Sequence, residues 1–203
     1  MSESPLPKRR GRPKTLDRAR ILAVATESYW DEGPASMGVN EVCRRAGISK
    51  PGLYREFGGE DGLTAAVLDH YWATVIRPSF QPLAAEHSFA EMLDGVLTWL
   101  TSERGVPAGC LFAKMRSASV DLGPETAARI AVLRDEMRAV YQAWFERGLV
   151  QGEVNAAVEP GLAGYLLDTQ FKTVQMLVAE GEPRDLVREQ ARLALACLLP
   201  SDQ

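Results

Sequence analysis

The sequence has few cysteines and few histidines. Its 203 residues include three cysteines and two histidines. Cys43, Cys110 and Cys197 are too few and too scattered for a disulfide framework, and no two of them have the Cys-x-x-Cys spacing of a zinc site. Neither His70 nor His87 stands in a recognisable nucleophile constellation. We therefore expect no bound metal, no cofactor and no enzyme activity.

Long apolar runs and phosphate-binding loops are absent as well. No segment approaches the roughly 18 consecutive apolar residues of a transmembrane helix. Residues 1–5 lack the apolar centre of a secretory signal. The glycines within residues 58–62 have neither the lysine nor the preceding strand of a phosphate loop. These absences predict a chain that works in the reducing cytoplasm and does not bind membranes.

The composition is that of a folded globular chain, but its charge is unevenly distributed. Apolar residues make up 46% and charged residues 25%, and the length allows one or two domains. The net charge is −4, yet residues 1–62 carry 11 basic and 9 acidic side chains. Residues 8–20 alone hold seven basic side chains and one acid. A cationic arm on an acidic body indicates a polyanionic partner for the amino-terminal end.

Apolar residues at helical spacing predict an all-α fold, because no strand-length run alternates β-branched with polar residues. The first helix is predicted to begin after a cap at Asp17 and to stop at Gly33-Pro34. A long helix is predicted to begin at Glu60-Asp61, whose charges suit the positive end of the helix dipole, and to end at Pro78. Further helices are predicted over residues 88–103, 109–121, 124–150, 160–180 and 183–199, which makes about nine in all.

Residues 38–57 have the pattern of a helix-turn-helix. Two short helices are joined by the sequence Ala46-Gly47-Ile48-Ser49, in which the glycine allows a tight turn and the serine caps the second helix. The cap of the first of these helices falls on Met37, which has no side-chain oxygen, so Ser36 is expected to replace it. Leu53 and Phe57, four residues apart, are expected to pack the second helix onto the first.

The exposed face of the second helix is predicted to lie against the major groove and the flanking phosphates. Arginine and lysine can read guanine edges, while tyrosine, serine and lysine can reach phosphates. The predicted DNA contacts on this face are Ser49, Lys50, Gly52, Tyr54 and Arg55, with Arg44 from the preceding helix.

This pattern resembles the TetR family of transcriptional regulators. The resemblance covers residues 16–68 and is carried by Ile21, Ala25, Gly33, Val42, Ala46-Gly47-Ile48-Ser49, Leu53-Tyr54, Phe57 and Leu63. It implies a DNA-binding domain over residues 15–75 and an effector-binding and dimerisation domain over residues 76–203. It further implies a homodimer on a palindromic operator in double-stranded DNA, and a repressor that a small-molecule effector releases.

The chain departs from the family pattern near the start of the fourth helix. The family usually has a basic residue there that touches phosphate, whereas this chain has Glu60 followed by Asp61. A carboxylate is repelled by phosphate, so we expect this contact to be absent. Glu56 also stands where the family often has an aromatic residue or histidine. Family membership is unaffected, but the set of phosphate contacts is expected to differ.

The basic arm, residues 1–14, is predicted to be disordered until it binds. It contains Arg10-Gly11-Arg12-Pro13, which looks like the core of an AT-hook. Glycine lets the backbone approach the floor of the minor groove, and arginine is attracted to the narrow groove of A·T-rich DNA. The alternative is a generic basic tail that adds only non-specific affinity. A corresponding alternative function is an architectural binder of A·T-rich DNA that uses the arm alone.

The last two predicted helices carry apolar stripes that suit a dimer interface. One stripe consists of Leu162, Leu166, Thr169, Thr173 and Leu177, and the other of Leu186, Gln190, Leu193, Ala194 and Cys197. The alternative is that both stripes face only the core of their own subunit.

Aromatic and methionine residues of the carboxy-terminal part suggest a cavity for an apolar or aromatic ligand. The candidate lining residues are Trp99, Cys110, Phe112, Met115, Tyr141, Trp144, Phe145 and Phe171. At the start of a predicted helix, with Lys114 one turn on, Cys110 is also a candidate thiolate sensor of oxidants or electrophiles. The alternatives are a small buried apolar residue or, less well supported, the nucleophile of an enzyme.

Overall fold

The structure is a computed structural model that describes residues 17–33, 36–84, 87–103, 105, 107–118 and 122–200. The basic arm, with Arg10, Gly11 and Arg12, lies outside the described residues. The α-helices are α1 (Arg18–Glu32), α2 (Val39–Ala46), α3 (Lys50–Phe57), α4 (Glu60–Tyr71), α5 (Arg77–Ser79), α6 (Phe89–Thr101), α7 (Leu111–Ser117), α8 (Pro124–Gln151), α9 (Pro160–Glu180) and α10 (Arg184–Leu195). Over these ranges no strand occurs, which confirms the all-α prediction.

Helices α2 and α3 form the predicted helix-turn-helix, and α1 packs against α2. Asp17 caps α1, because its side chain accepts a hydrogen bond of 3.1 Å from the backbone N–H of Arg20. Gly47 ends α2 with a φ of 68°, a left-handed conformation that glycine adopts without strain. The Ser49 side chain then accepts from the N–H of Gly52 at 3.3 Å and caps α3. Leu53 is fully buried, as expected for the residue that packs α3 against α2.

The prediction for the cap of α2 is wrong. The cap residue is Gly38, and no side chain hydrogen-bonds to the first turn of α2. Met37 is buried in the core, and Ser36 lies one residue farther from the helix start. Glycine is tolerated at this position because its backbone turns readily and leaves the first N–H groups open to water.

The prediction that Pro78 ends the long helix is also wrong. α4 continues through a π-helical turn, Trp72–Ile76, directly into α5, which contains Pro78. Proline lacks the N–H of a helical bond, and its ring crowds the carbonyl four residues earlier. The π-helical turn just before Pro78 shifts which carbonyl each N–H bonds to. The helix therefore continues past the proline and ends at Ser79. If this whole stretch is taken as one helix, the described residues contain the nine helices expected.

Three predicted helices in the carboxy-terminal part are shorter in the structure. Ser88 and Glu91 form a reciprocal capping box, so α6 begins at Phe89 instead of 88 and ends at Thr101. α7 begins only at Leu111, because Cys110 is still extended at the cap position and Gly109 before it has a φ of 77°. α10 ends at Leu195 and tightens into a 3-10 turn, Ala196–Leu198.

One continuous core connects the helix-turn-helix unit to the carboxy-terminal helices. α4 packs against α1 on one side and α8 on the other, while α8 and α9 lie side by side. Gly164 permits a close approach of α8 and α9, since a Cβ there would lie 2.9 Å from the backbone carbonyl oxygen of Arg138. No helix in the described ranges combines the length and the apolar character needed to cross a membrane.

Asp61 ties the start of α4 to the start of α8. Its carboxylate accepts hydrogen bonds from the N–H of Glu125 at 2.8 Å, the N–H of Thr126 at 3.0 Å and the hydroxyl of Thr126 at 2.6 Å. Burial alone would raise the pKa of Asp61, but these bonds outweigh it and lower the pKa. Gly123 leaves room for this cap, because a Cβ there would clash with the carboxylate.

Candidate DNA-binding surface and ligand cavity

Helix α3 exposes most of the side chains that were predicted to contact DNA. Lys50, Tyr54 and Arg55 are exposed, and so is Ser49 at the cap. Arg55 forms no ion pair within the described part of the chain, so its guanidinium is available to a ligand. Gly52 is buried, contrary to the expectation that it lies on the exposed face. It has no side chain to project and lies beside Leu53, at the edge of the buried face.

Glu60, the first residue of α4, contacts the α3 surface. The Tyr54 hydroxyl donates to its Oε1 at 3.2 Å, and the Lys50 ammonium lies 4.0 Å from the same oxygen. The Lys50 nitrogen also lies 5.4 Å from the centroid of the Tyr54 ring. Glu60 therefore contacts two of the predicted DNA-binding side chains, and its negative charge partly offsets the positive charge at this end of the surface.

Arg44 is exposed but already paired. Its guanidinium donates two hydrogen bonds to Glu41, at 2.7 and 2.5 Å, and Arg45 donates to Glu41 and Glu32. The bonds from Arg44 and then Arg45 lower the pKa of Glu41 to about 2. For Arg44 to contact DNA, its guanidinium must release Glu41 or donate to Glu41 and to the DNA at the same time.

A cavity of about 400 Å³ lies between the end of α4 and helices α6, α7, α8 and α9. Its walls are predominantly apolar, which is typical of small-molecule sites. Five of the predicted effector residues line it: Trp99, Cys110, Phe112, Tyr141 and Phe171. Three others, Met115, Trp144 and Phe145, do not line the cavity and belong to the core. Trp144, for example, stacks on Phe89 with ring centroids 4.5 Å apart, because its face of α8 turns toward α6.

Several lining residues were not identified from the sequence. The π-turn contributes Val75 and Ile76, and the segment after it contributes Phe80. Pro78 was the available signal, but it was taken as the end of a helix instead of the mark of an irregular turn. α9 contributes Asp168, Lys172 and Gln175, which lie near Phe171 at helical spacing.

Comparisons with known proteins match the amino-terminal helices and the whole fold. Residues 21–67 match the family model of bacterial regulatory proteins, tetR family. The transcriptional repressor ComR of Escherichia coli K12 is 27% identical over 158 residues, which are 75% of this chain and 73% of ComR. The repressor BdcR of the same strain is 31% identical over 104 residues, 50% of this chain and 53% of BdcR. The chain belongs to the TetR family. It is therefore a DNA-binding transcriptional regulator.

Two solved structures share the fold of this TetR-family regulator. CifR, a TetR-family regulator solved as a cysteine mutant with 26bp operator DNA, superposes with a TM-score of 0.74 at 24% identity, covering 91% of this chain and 98% of that one. The reduced form of Escherichia coli NemR superposes with a TM-score of 0.77 at 17% identity, covering 91% and 97%. At these identities the likeness supports the fold.

In this TetR-family chain, Cys110 lines the cavity as the cap residue of α7. The Tyr71 hydroxyl lies 3.6 Å from its sulfur and is placed to donate to it. The Lys114 ammonium instead donates to the backbone carbonyl of Trp30 at 2.8 Å. Burial lowers the pKa of Lys114, and the charge of Asp31 opposes that shift. The geometry therefore puts Tyr71, not Lys114, in contact with the thiol.

Asp168 is a buried carboxylate shared by two arginines. Arg116 donates to both of its oxygens, at 2.6 and 2.9 Å, and Arg138 donates to one at 2.9 Å. Only 11% of the Arg116 side chain is exposed, so this ion pair is largely removed from water. Burial, and secondarily the charge of Asp168, raises the pKa of Tyr141 on the same wall. Arg138 also lies 4.8 Å from the ring centroid of Tyr165 on the outer face of α9.

The predicted apolar stripes of α9 and α10 lie at the subunit surface, although Leu166 and Leu177 pack partly against the core. None of their ten residues is buried, and Leu186 and Leu193 are 63% and 69% exposed. The faces that pack inward carry other residues, among them Leu167 and Val174 on α9 and Val187 and Ala191 on α10. The stripes therefore leave apolar surface exposed on a single subunit, and their role in a dimer stays a prediction.

Proposed function

We propose that this TetR-family regulator is a repressor that binds a palindromic operator as a homodimer and is released by a small molecule in the cavity. The main support for the proposal is that helix α4 extends from the proposed DNA-binding surface to the cavity. Glu60 at its first turn contacts Lys50 and Tyr54 of the DNA-facing helix, and the π-turn at its other end lines the cavity. A ligand that displaces this helix changes the position of α3. ComR and BdcR, named as repressors, support the sign of the regulation.

The proposed DNA contacts are Ser49, Lys50, Tyr54, Arg55 and Arg44, with Arg10, Gly11 and Arg12 in the arm. Gel shifts with palindromes from the promoter region of the chain's own gene test this assignment. Arg55→Ala is expected to weaken operator binding by about tenfold or more, since a base-contacting arginine contributes about 1–3 kcal/mol. Arg44→Ala, which removes a guanidinium already held by Glu41, is the matched comparison and is expected to cost less. The opposite order would remove Arg55 from the reading surface.

The proposed dimer interface is the outward stripe of α9 together with that of α10. Exposed leucines are costly in water, and the two neighbouring helices offer a continuous surface to a second copy. A two-fold dimer presents its two α3 helices about 34–36 Å apart, or a multiple of that distance, which matches half-sites on one face of DNA. Release then requires only that the ligand-bound form spaces the two helices differently, with a coupling of about 1–3 kcal/mol.

An electrophilic effector is the second candidate for the ligand, because Cys110 lines the cavity beside the Tyr71 hydroxyl. Cys110→Ser is expected to abolish release of DNA by an oxidant or electrophile while leaving operator binding intact. Cys43→Ser, which changes a buried cysteine of α2, is the matched control. Equal release of the wild type and Cys110→Ser would remove Cys110 as a sensor. Within the described residues neither histidine lines the cavity, so an enzyme using Cys110 gains no support.

A further inference from the structure

The charges on the cavity wall are unbalanced. Within the described residues the charged side chains that line it are Arg116, Asp168 and Lys172. Arg116 and Arg138 together occupy both oxygens of Asp168. Lys172 lies four residues after Asp168 on the same face of α9, yet forms no ion pair within the described part of the chain. Among the described lining residues, the single carboxylate is thus already shared by two cations, and no carboxylate there compensates the lysine charge.

Gln175 provides a second unsatisfied polar group one turn from Lys172. Its residue is 9% exposed, and its side-chain carbonyl oxygen has no hydrogen-bond partner in the described part of the chain. Residues three apart on a helix are neighbours, so Lys172 and Gln175 lie on one side of the cavity. A buried carbonyl oxygen without a partner is unfavourable in the free protein, because it can accept only from a donor. A 180° rotation of the side-chain amide puts the Nε2 donors in its place, where a ligand carboxylate can accept from them.

The rest of the cavity wall is mainly apolar and suits an apolar part of a ligand. Phe80, Tyr141 and Phe171 pack edge to face, with centroids 5.8 and 5.3 Å apart along the series. An ammonium beside such a surface attracts an anion more strongly than it would in water, because the local dielectric constant is lower. A small inorganic anion would leave the apolar walls uncovered, and a neutral hydrocarbon would leave Lys172 uncompensated.

We propose that the cavity selects an organic anion, a carboxylate on an apolar aromatic or aliphatic body, with the carboxylate held by Lys172 beside Gln175. The proposal rests on the ligand response proposed above and specifies the chemistry of that ligand. Arg116 is not the anchor, because Asp168 already binds it through both oxygens. Lys172 is the cation that can pair with the ligand without breaking an existing ion pair.

Calorimetric titration of the full chain tests the proposal with two matched probe series. The aromatic series is 2-naphthoate, its neutral amide and the cationic naphthylmethylamine, and the aliphatic series is decanoate, decanol and decylamine. In at least one series the carboxylate is expected to bind about tenfold or more tighter than the neutral compound, the size of a charge-assisted hydrogen bond. The series that shows this preference identifies the body that the cavity accepts.

Variants then locate the carboxylate. Lys172→Met is expected to lower carboxylate affinity about tenfold and to leave the neutral compounds unchanged, whereas Lys172→Arg retains binding. Arg134→Met removes one positive charge from α8 outside the cavity and is the control. Thermal unfolding of each variant checks that it is folded. Gln175→Leu is expected to weaken carboxylate binding by a smaller factor.

Three results would overturn the proposal: no preference for the carboxylates in either series, carboxylate affinity unchanged in Lys172→Met, or no binding of any probe. The proposed function is judged separately, by gel shift. If neutral probes bind and release operator DNA while the carboxylates do neither, the anion proposal fails and the ligand-responsive regulator stands. If no palindrome shifts, the proposed function fails whatever the titrations give.

Discussion

Glu60 places a carboxylate beside two α3 side chains that are proposed to contact DNA. In the free protein it accepts from the Tyr54 hydroxyl at 3.2 Å and lies 4.0 Å from the Lys50 ammonium. The family resemblance implies a basic residue near this position, so we expect Glu60 to repel phosphate where the family pattern has an attraction. The same carboxylate also holds Tyr54 and Lys50 in place, which reduces the disorder that binding would have to remove.

Removing the charge separates these two effects. Glu60→Gln keeps a hydrogen-bond acceptor for Tyr54 but removes the repulsion from phosphate, which at contact distance is worth about 1 kcal/mol in water. We expect DNA affinity to rise about 3- to 10-fold at low salt, with a smaller gain at high salt. Fluorescence anisotropy with labelled operator at two salt concentrations measures this. Glu189→Gln on α10 is the control, and equal or weaker binding by Glu60→Gln would show that positioning outweighs repulsion.

At the scale of the elements, α4 and α8 are joined by a side chain that caps one helix from the other. Asp61 belongs to the first turn of α4, yet three of its hydrogen bonds satisfy donors at the start of α8. Unsatisfied N–H groups at a helix start are costly, so the two helices are held together at that end. This link connects the DNA-facing part of the chain to a wall of the cavity.

We expect Asp61→Ala to destabilise the folded chain by about 1–2 kcal/mol, as loss of a cap does. Asp69→Asn is the matched control, since it breaks only an exposed ion pair between α4 and Arg129 of α8. Urea unfolding of both variants measures the difference, and equal costs would contradict the cap.

The folded-state pKa of Asp61 lies below its ordinary 3.8. Its contribution is therefore present at neutral pH and should disappear as the pH falls below about 4 through that lowered pKa.

On the scale of the whole molecule, the outward stripes of α9 and α10 are what a second copy would cover. Leu193→Glu puts a charge into the centre of the proposed interface, and burial of an unpaired charge is unfavourable. We expect sedimentation to show a shift from dimer to monomer and operator binding to fall at least about tenfold, as two-site binding is lost. Val150→Glu, at a 90% exposed position at the end of α8, is the control. A Leu193→Glu protein that remains a dimer would locate the interface elsewhere.

The basic arm acts at the same scale, since it adds charge to a chain that is acidic overall. Deletion of residues 1–14 removes Arg10 and Arg12 together with three other basic side chains. We expect the truncated chain to bind operator more weakly and with a flatter salt dependence, because fewer counterions are released. Anisotropy titrations over a range of salt concentrations measure the slope. An unchanged affinity and slope would exclude the arm from DNA binding.

The local features of this chain follow directly from neighbouring residues. Asp17 and Ser49 cap helices because their side-chain oxygens reach N–H groups three residues on, and Gly47 forms the turn because glycine adopts a positive φ without strain. The helical class and the helix-turn-helix follow from apolar spacing. These properties depend on contacts within a few positions along the chain, which is why the amino-acid sequence by itself is enough to predict the family.

Long-range packing accounts for what sequence reasoning missed. Aromatic spacing cannot distinguish Tyr141, which lines the cavity, from Trp144 and Phe145, which fill the core, because that depends on which helix faces each side of α8. Nor does any local signal show that Asp61 caps a helix more than 60 positions away or that two arginines meet at Asp168. A buried charge takes whatever partner the assembled helices bring within reach, so its role is set only when the chain has folded.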